Sequence, residues 1–468
     1  MARALPSGAG REDLIAAPAT APGRAAIAIV RMSGKGALQA ADRLFGGMLQ
    51  GAGPGRLVLG TLRHPETRGA VDSCLAVHWR APRSYTGEDL VEFHLHGSPV
   101  VVEAALEACG AAGARLAEAG EFTRRAYLNG RLDLAQAEAV AHLTQARTEA
   151  GRRAALAQLR GGLSRRLMEL RSALVQTAAE LEAAIDYPEE DIPEPAVERH
   201  LGAVRDALKG VSSLLATSRR GRALHEGARA VLAGRPNAGK SSLFNTLLGR
   251  ERAIVTPHPG TTRDTLEATI DLGGVPLTLV DTAGLRPDPE EIEALGIGRS
   301  REELLAAQVV LFLVDAMRPD PHAAEEYAAL ATLRHFIVYT KTDLAPADSA
   351  PQATLRPHEG TCAGELRISV KTREGLDALE TALLREIAGT ESEGGSLPAA
   401  ASARQEEALR RAADGLEAAA RNLRERAPVE LVSVDLTGAL SAMDSVLGLD
   451  SLDEDVLDAV FATFCLGK

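Results

Sequence analysis

The segment Gly234-Arg235-Pro236-Asn237-Ala238-Gly239-Lys240-Ser241 sets two glycines, a lysine and a hydroxyl in one short loop between an apolar run at 230–233 and helix-compatible text from Ser242-Leu243-Phe244. Glycines let backbone N–H groups wrap a phosphate, a lysine neutralises the terminal phosphates, and a serine hydroxyl is a natural Mg²⁺ ligand. The following helix adds its N-terminal dipole. The spacing therefore predicts a nucleotide triphosphate loop made by Asn237, Ala238, Gly239, Lys240, Ser241 and Ser242, with Ser241 on Mg²⁺.

Further motifs follow in the order that such a site requires. Thr256-Pro257-His258-Pro259-Gly260-Thr261-Thr262 supplies a loop whose Thr262 hydroxyl can complete the Mg²⁺ shell. Asp281-Thr282-Ala283-Gly284 ends a strand-like run, so Asp281 can reach the metal through water and Gly284 can offer an N–H to the γ-phosphate. In Thr340-Lys341-Thr342-Asp343 the Asp343 carboxylate can accept from the guanine N1–H and exocyclic amine, an arrangement adenine lacks. Thr340 stands where such motifs carry Asn, and the expected consequence is weaker bracing of the loop rather than a change of base. Ser369-Val370-Lys371 reads as the loop closing over the guanine O6. The residue after Gly284 is Leu285, not a glutamine, so the attacking water needs another orienting group. Candidates are a carboxylate among Glu290, Glu291 and Glu293, or a monovalent cation in the role of an arginine finger.

The elements that must position these groups can be read from pattern. Apolar runs at 230–233, 277–280, 309–314 and 336–339 alternate with helical text, as in buried parallel strands of a doubly wound α/β domain. Before it, 13–128 alternates β-like runs with helices, an α+β pattern. The tract from Arg131 to about Ile185 is rich in Ala, Leu, Glu, Gln and Arg and predicts long helices, with Gly161-Gly162 as the main breaker. After the link at 389–396, helical text runs nearly to Lys468. At 468 residues, more than one core is expected. The expected domains are 1–129 (α+β), 130–226 (helical, first part), 227–389 (the nucleotide domain, inserted) and 390–468 (helical, second part).

A formal net charge of −12 excludes a generally basic nucleic-acid-binding surface, and paired arginines such as Arg152-Arg153 read as solvated helix faces. Cys74, Cys109, Cys362 and Cys465 lack metal or disulfide spacing. No signal segment and no run of membrane-spanning length is seen, so a cytoplasmic chain with no membrane association is expected.

Beyond the nucleotide motifs, Pro22-Gly23-Arg24, Val30-Arg31-Met32-Ser33-Gly34, Tyr85-Thr86-Gly87-Glu88-Asp89, the string from Gly120-Glu121-Phe122-Thr123-Arg124-Arg125 to Asn129, Leu132-Asp133-Leu134-Ala135-Gln136-Ala137-Glu138, and the terminal Phe464-Cys465-Leu466-Gly467-Lys468 resemble the MnmE (TrmE/ThdF) family of tRNA modification GTPases over almost the whole chain. The resemblance implies an α/β P-loop GTPase domain inserted in an all-α domain, preceded by an α+β folate-binding and dimerisation domain. It also implies GTP hydrolysis stimulated by K⁺, a homodimer, and joint action with the flavoprotein MnmG (GidA) on tRNA. That reaction adds an aminomethyl-type (carboxymethylaminomethyl) group at C5 of the wobble uridine, from a tetrahydrofolate one-carbon unit.

Carried across position by position, the resemblance implies K⁺ ligation by Asn237, Thr256, His258 and Thr261, close in sequence to the Mg²⁺ ligand Thr262. Glu293 would orient the catalytic water, and Arg31, Glu92, Arg131 and Lys468 would bind the folate. Cys465 is either a small apolar tail residue or a functional thiol. The competing readings are a regulatory GTPase switch in ribosome assembly or signalling, without modification chemistry of its own, and an ATP-using P-loop enzyme. The two chain ends favour tRNA modification over the switch, and Asp343 disfavours ATP.

Overall fold

The computed structural model describes residues 13–186, 194–251, 253–254, 266–281, 303–317, 322–344, 355–389, 401–449 and 454–468. In chain order these form β1 (Ile15–Pro18), β2 (Ala25–Ser33), α1 (Ala37–Leu44), β3 (Val58–Arg63), β4 (Ala70–Trp79), β5 (Leu90–Gly97), α2 (Pro99–Ala111), β6 (Arg115–Leu116), α3 (Glu121–Leu128) and α4 (Leu134–Gln145). Next come α5 (Glu149–Leu159), α6 (Gly162–Asp186), α7 (Glu194–Glu226), β7 (Ala228–Ala233), α8 (Lys240–Arg250), β8 (Ala253–Ile254), β9 (Leu266–Leu272), β10 (Val275–Asp281), β11 (Val309–Asp315) and α9 (Ala323–Ala328). The last are β12 (His335–Thr340), β13 (Cys362–Arg367), α10 (Leu376–Ala388), α11 (Ala403–Arg424), α12 (Val429–Leu447) and α13 (Glu454–Phe461).

Two compact units result, Met1–Ala141 with Asp444–Lys468, and His142–Met443. In the first, a sheet ordered β3-β4-β5-β2-β1-β6 is antiparallel except where β1 meets β6. Alternation along β2 and β5 sends Val30, Met32, Phe93 and Leu95 to the α1 and α2 side, where Leu44 and Phe45 complete a core. The same period of two leaves Arg31 and Glu92 paired across the strands on the other face.

In the second unit the sheet order is β13-β12-β11-β7-β10-β9-β8, parallel from β13 to β10 with two antiparallel strands at one edge. Strands β7, β10, β11 and β12 are buried almost throughout, which explains their unbroken apolar text. Helices α8 and α10 cover one face with Leu243, Phe244, Leu247, Leu379 and Leu383; α9 covers the other with Tyr327. Helix α11 packs along α7, adding an Arg222–Glu406 ion pair at 3.1 Å.

The tract expected to hold its helix from residue 131 is broken at a point the composition does not mark. Helix α4 ends at Gln145 and Thr148 starts the next helix: its side chain accepts from the Gly151 amide at 3.1 Å, capping α5, and donates to the Gly274 carbonyl at 2.7 Å. The second break, at Gly161, falls on the expected glycine pair.

Candidate functional site

Strand β7 lies between β10 and β11, so the order of connection reverses at its carboxyl end, where α/β sheets open a crevice for ligands. Register fills that crevice. Asp281 faces Leu232, Phe312 faces Ala233, and Asp315 faces Thr340. The chain then turns at Gly234, where φ is +129° and any Cβ would collide with the Leu313 carbonyl, so only glycine fits.

Six residues later α8 begins at Lys240. Lys240 is buried, and its ammonium donates to the carbonyls of Gly234 at 2.7 Å and Arg235 at 3.0 Å, which curls the loop around it. The Ser241 hydroxyl donates to Asp281 Oδ2 at 2.7 Å, and Asp281 is fully buried. A hydroxyl and a carboxylate so close, both hard oxygen donors at a helix N-terminus, fit a Mg²⁺–phosphate group.

The base side is built by β12 and the turns beyond it. Ser369, fully buried, donates from its hydroxyl to Asp343 Oδ1 at 2.7 Å and accepts from the Thr372 amide at 3.1 Å, so the carboxylate is aimed before any base arrives. Lys341 donates to the Asn237 carbonyl at 2.8 Å and to Asp315 Oδ2 at 2.6 Å. Thr340, where such motifs carry Asn, still braces the loop. Its hydroxyl bonds to the Ala238 carbonyl at 2.8 Å and lies 3.2 Å from the Val314 carbonyl, tying β12 to the phosphate loop over the reach available to a short side chain.

The first unit holds a second convergence of charge. Arg31 pairs with Glu92 at 2.8 Å, reaches the Gly467 carbonyl at 3.4 Å, and lies 5.6 Å from the ring centres of both Tyr85 and Phe122. The C-terminal tail is threaded into place here. Leu466 bridges Ala119, Phe122 N–H donates to the Lys468 carbonyl at 3.2 Å, and a side chain at Gly467 would strike the Pro18 carbonyl. Burial pulls the Lys468 ammonium below its usual range, and the charge of Arg31 adds to the effect. Arg31 beside Glu92, with Lys468 close enough to feel the charge of Arg31, fits an anionic ligand with an amino-pyrimidine edge. Arg131 is exposed with its stem against Gly87, two residues beyond Tyr85, and among the described residues no hydrogen bond or ion pair joins it to the other three. Cys465 is exposed.

The comparisons with known proteins decide the family. The pattern described as "GTP-binding protein TrmE N-terminus" matches residues 14–131, and that of the "MnmE helical domain" matches residues 134–465. A "tRNA modification GTPase MnmE" of Thermus thermophilus is 44% identical over 98% of this chain and 99% of its own. The proteins of that name from Heliobacterium modesticaldum (42%, covering 97% and 99%) and Symbiobacterium thermophilum (44%, covering 98% and 100%) agree. The chain belongs to the MnmE family.

As an MnmE-family chain it is a GTPase, with an α/β P-loop domain inserted in helical text after an α+β N-terminal domain. The segments carrying Thr256, Pro257, His258, Pro259, Gly260, Thr261, Thr262, Thr282, Ala283, Gly284 and Glu293 lie outside the described residues. Several family-typical strings prove to be architecture. Arg125, 7% exposed, bonds Asp13 Oδ1 at 2.6 Å and Glu121 Oε1 at 2.9 Å and pairs with Glu88 at 3.2 Å, while Ser33 donates to Glu88 at 2.8 Å. Burial pushes the Glu121 carboxyl up, but the bonds from Arg115, the Glu118 amide and Arg125 prevail and hold it below the ordinary range. Sequence reading missed this network, and it missed Asp315, whose signal was a lone carboxylate ending an apolar strand. No helix among the described residues is long and apolar enough to cross a membrane.

Proposed function

We propose that this GTPase acts on tRNA with the flavoprotein MnmG (GidA), adding an aminomethyl-type group, carboxymethylaminomethyl when glycine is the donor, at C5 of the wobble uridine. A tetrahydrofolate derivative supplies the one-carbon unit. The observation that carries this reading is the convergence of Arg31, Glu92 and the C-terminal Lys468 in the same chain as a guanine-selective phosphate site, since a simple GTP switch has no need of it.

Each site has its own division of labour. At the nucleotide, Lys240 neutralises the phosphates, Asp343 selects guanine, and Val370 and Lys371 follow Ser369 in the loop over O6. Ser241 and Thr262 would hold Mg²⁺, with Asp281 acting through water. Asn237, Thr256, His258 and Thr261 would hold K⁺, which supplies positive charge between the β- and γ-phosphates. Glu293 orients the attacking water. Pairing of two nucleotide domains in a homodimer orders these loops.

At the folate, Glu92 accepts from the pterin edge, Arg31, Arg131 and Lys468 hold its carboxylates, and Cys465 stands near the one-carbon group. The domain bounds 1–129, 130–226, 227–389 and 390–468 and a cytoplasmic location complete the proposal. Nucleosides from tRNA of cells with and without the chain, compared by mass spectrometry, test it: loss of the C5-substituted wobble uridine is expected, and an unchanged nucleoside profile overturns it.

A further inference from the structure

Two non-glycine residues, one in the phosphate loop and one just after β12, sit in the left-handed region that side chains rarely adopt: Asn237 at φ +64° and Lys341 at φ +58°. They belong to different loops, yet they are tied directly, because the Lys341 ammonium donates to the Asn237 carbonyl at 2.8 Å. The same ammonium is held from behind by Asp315 Oδ2 at 2.6 Å. The carboxylate is itself fixed: Oδ1 accepts from the Met317 amide at 2.9 Å, and the strand register sets Asp315 opposite Thr340, the residue before Lys341. Asn237, Asp315, Met317, Lys341 and Leu344 line one cavity of about 440 Å³, with the Asp315 side chain 15% exposed and that of Lys341 38%.

We propose that Asp315 is a positioning residue for nucleotide binding. Its carboxylate fixes the Lys341 ammonium, and the ammonium holds the Asn237 peptide in its left-handed turn. The base loop and the phosphate loop are thereby set as one piece before nucleotide arrives. A free lysine side chain samples many rotamers; a charge-assisted bond at each end of its reach removes that freedom in advance, and a ligand then meets a formed site. Among the described residues, removing the carboxylate leaves Lys341 with the Asn237 carbonyl as its remaining acceptor and lets both strained turns relax. Bound nucleotide would then leave faster, although Asp315 itself is not one of the groups assigned to it. This proposal rests on reading the two loops as the GTP site.

Release of N-methylanthraniloyl-GDP from the full chain, followed by stopped-flow fluorescence, tests it. Asp315→Asn should accelerate release about tenfold, the size of one charge-assisted bond. GTP turnover at saturation should stay within about twofold of wild type and the thermal midpoint should be unchanged, so that KM rises alone. Asp315→Glu, which keeps the charge, should restore most of the slow release. In a Lys341→Met background, Asp315→Asn should add nothing, because the strap is already cut. Release from Asp315→Asn at the wild-type rate overturns the proposal, as does an equal acceleration with and without Lys341. Failure of the wild-type chain to bind the probe would instead overturn the nucleotide reading itself.

Discussion

Thr340 shows how one side chain can substitute for another by geometry rather than by chemical likeness. Such motifs carry an asparagine amide at this position; here a hydroxyl reaches the Ala238 carbonyl at 2.8 Å, with the Val314 carbonyl 3.2 Å away. Thr340→Val keeps the shape, removes the donor and strands a buried carbonyl, a loss on the order of 1–3 kcal/mol. GDP affinity should fall by about tenfold with guanine still preferred over adenine, as titration calorimetry would show; unaltered affinity would return Thr340 to a packing role. The residue types at Lys240, Ser241, Asp281 and Asp343 were legible because phosphate, metal and guanine each demand one kind of group at one spacing. Asp315 and the Thr340 bond were not, because both depend on β11–β12 register, which pattern alone does not fix.

At the scale of elements, charge and burial set the joints. In the α3 string Glu121-Phe122-Thr123-Arg124-Arg125, Arg125 binds Asp13, Glu88 and Glu121, tying α3 to the segments that lead into β1 and β5. Arg125→Met takes the cation from Glu88 and leaves Asp13 and Glu121 to Arg115, and should cost about 3 kcal/mol. Denaturant unfolding of the variant measures it, and a loss under about 1 kcal/mol would mean that water already satisfies those groups.

The ends of α4 and α7 carry a second joint. His142 and His225 stack with ring centres 4.4 Å apart, and burial, then the charge of His142, pulls His225 from 6.5 down to about 3. Between those two values the unfolded chain binds a proton that the folded chain refuses. Stability from this site is therefore complete above about pH 6.5 and declines as pH falls toward about 3. Replacing His225 by Gln should flatten that decline between pH 7 and pH 5, measured as the unfolding midpoint relative to wild type; identical pH slopes would contradict it. Helix content here was readable from composition, whereas the break at Thr148 depends on a carbonyl from β-turn residue Gly274, distant in sequence.

At the scale of the whole molecule, the doubly wound sheet and the helices around it follow from hydrophobic period, and the relatives share nearly the full length of the chain. What period does not reveal is why the last residues, Gly467 and Lys468, are threaded beside Arg31. The proposed function rests on that placement, with GTP hydrolysis in one part of the chain proposed to serve chemistry on tRNA at another. The most direct measurement is the nucleoside profile of tRNA from cells lacking the chain, complemented with the wild-type gene or with the Asp343→Asn variant. The wild type should restore the C5-substituted wobble uridine and the variant, deprived of guanine recognition, should not. A profile that never lost that nucleoside, or that the variant restores fully, would contradict the account.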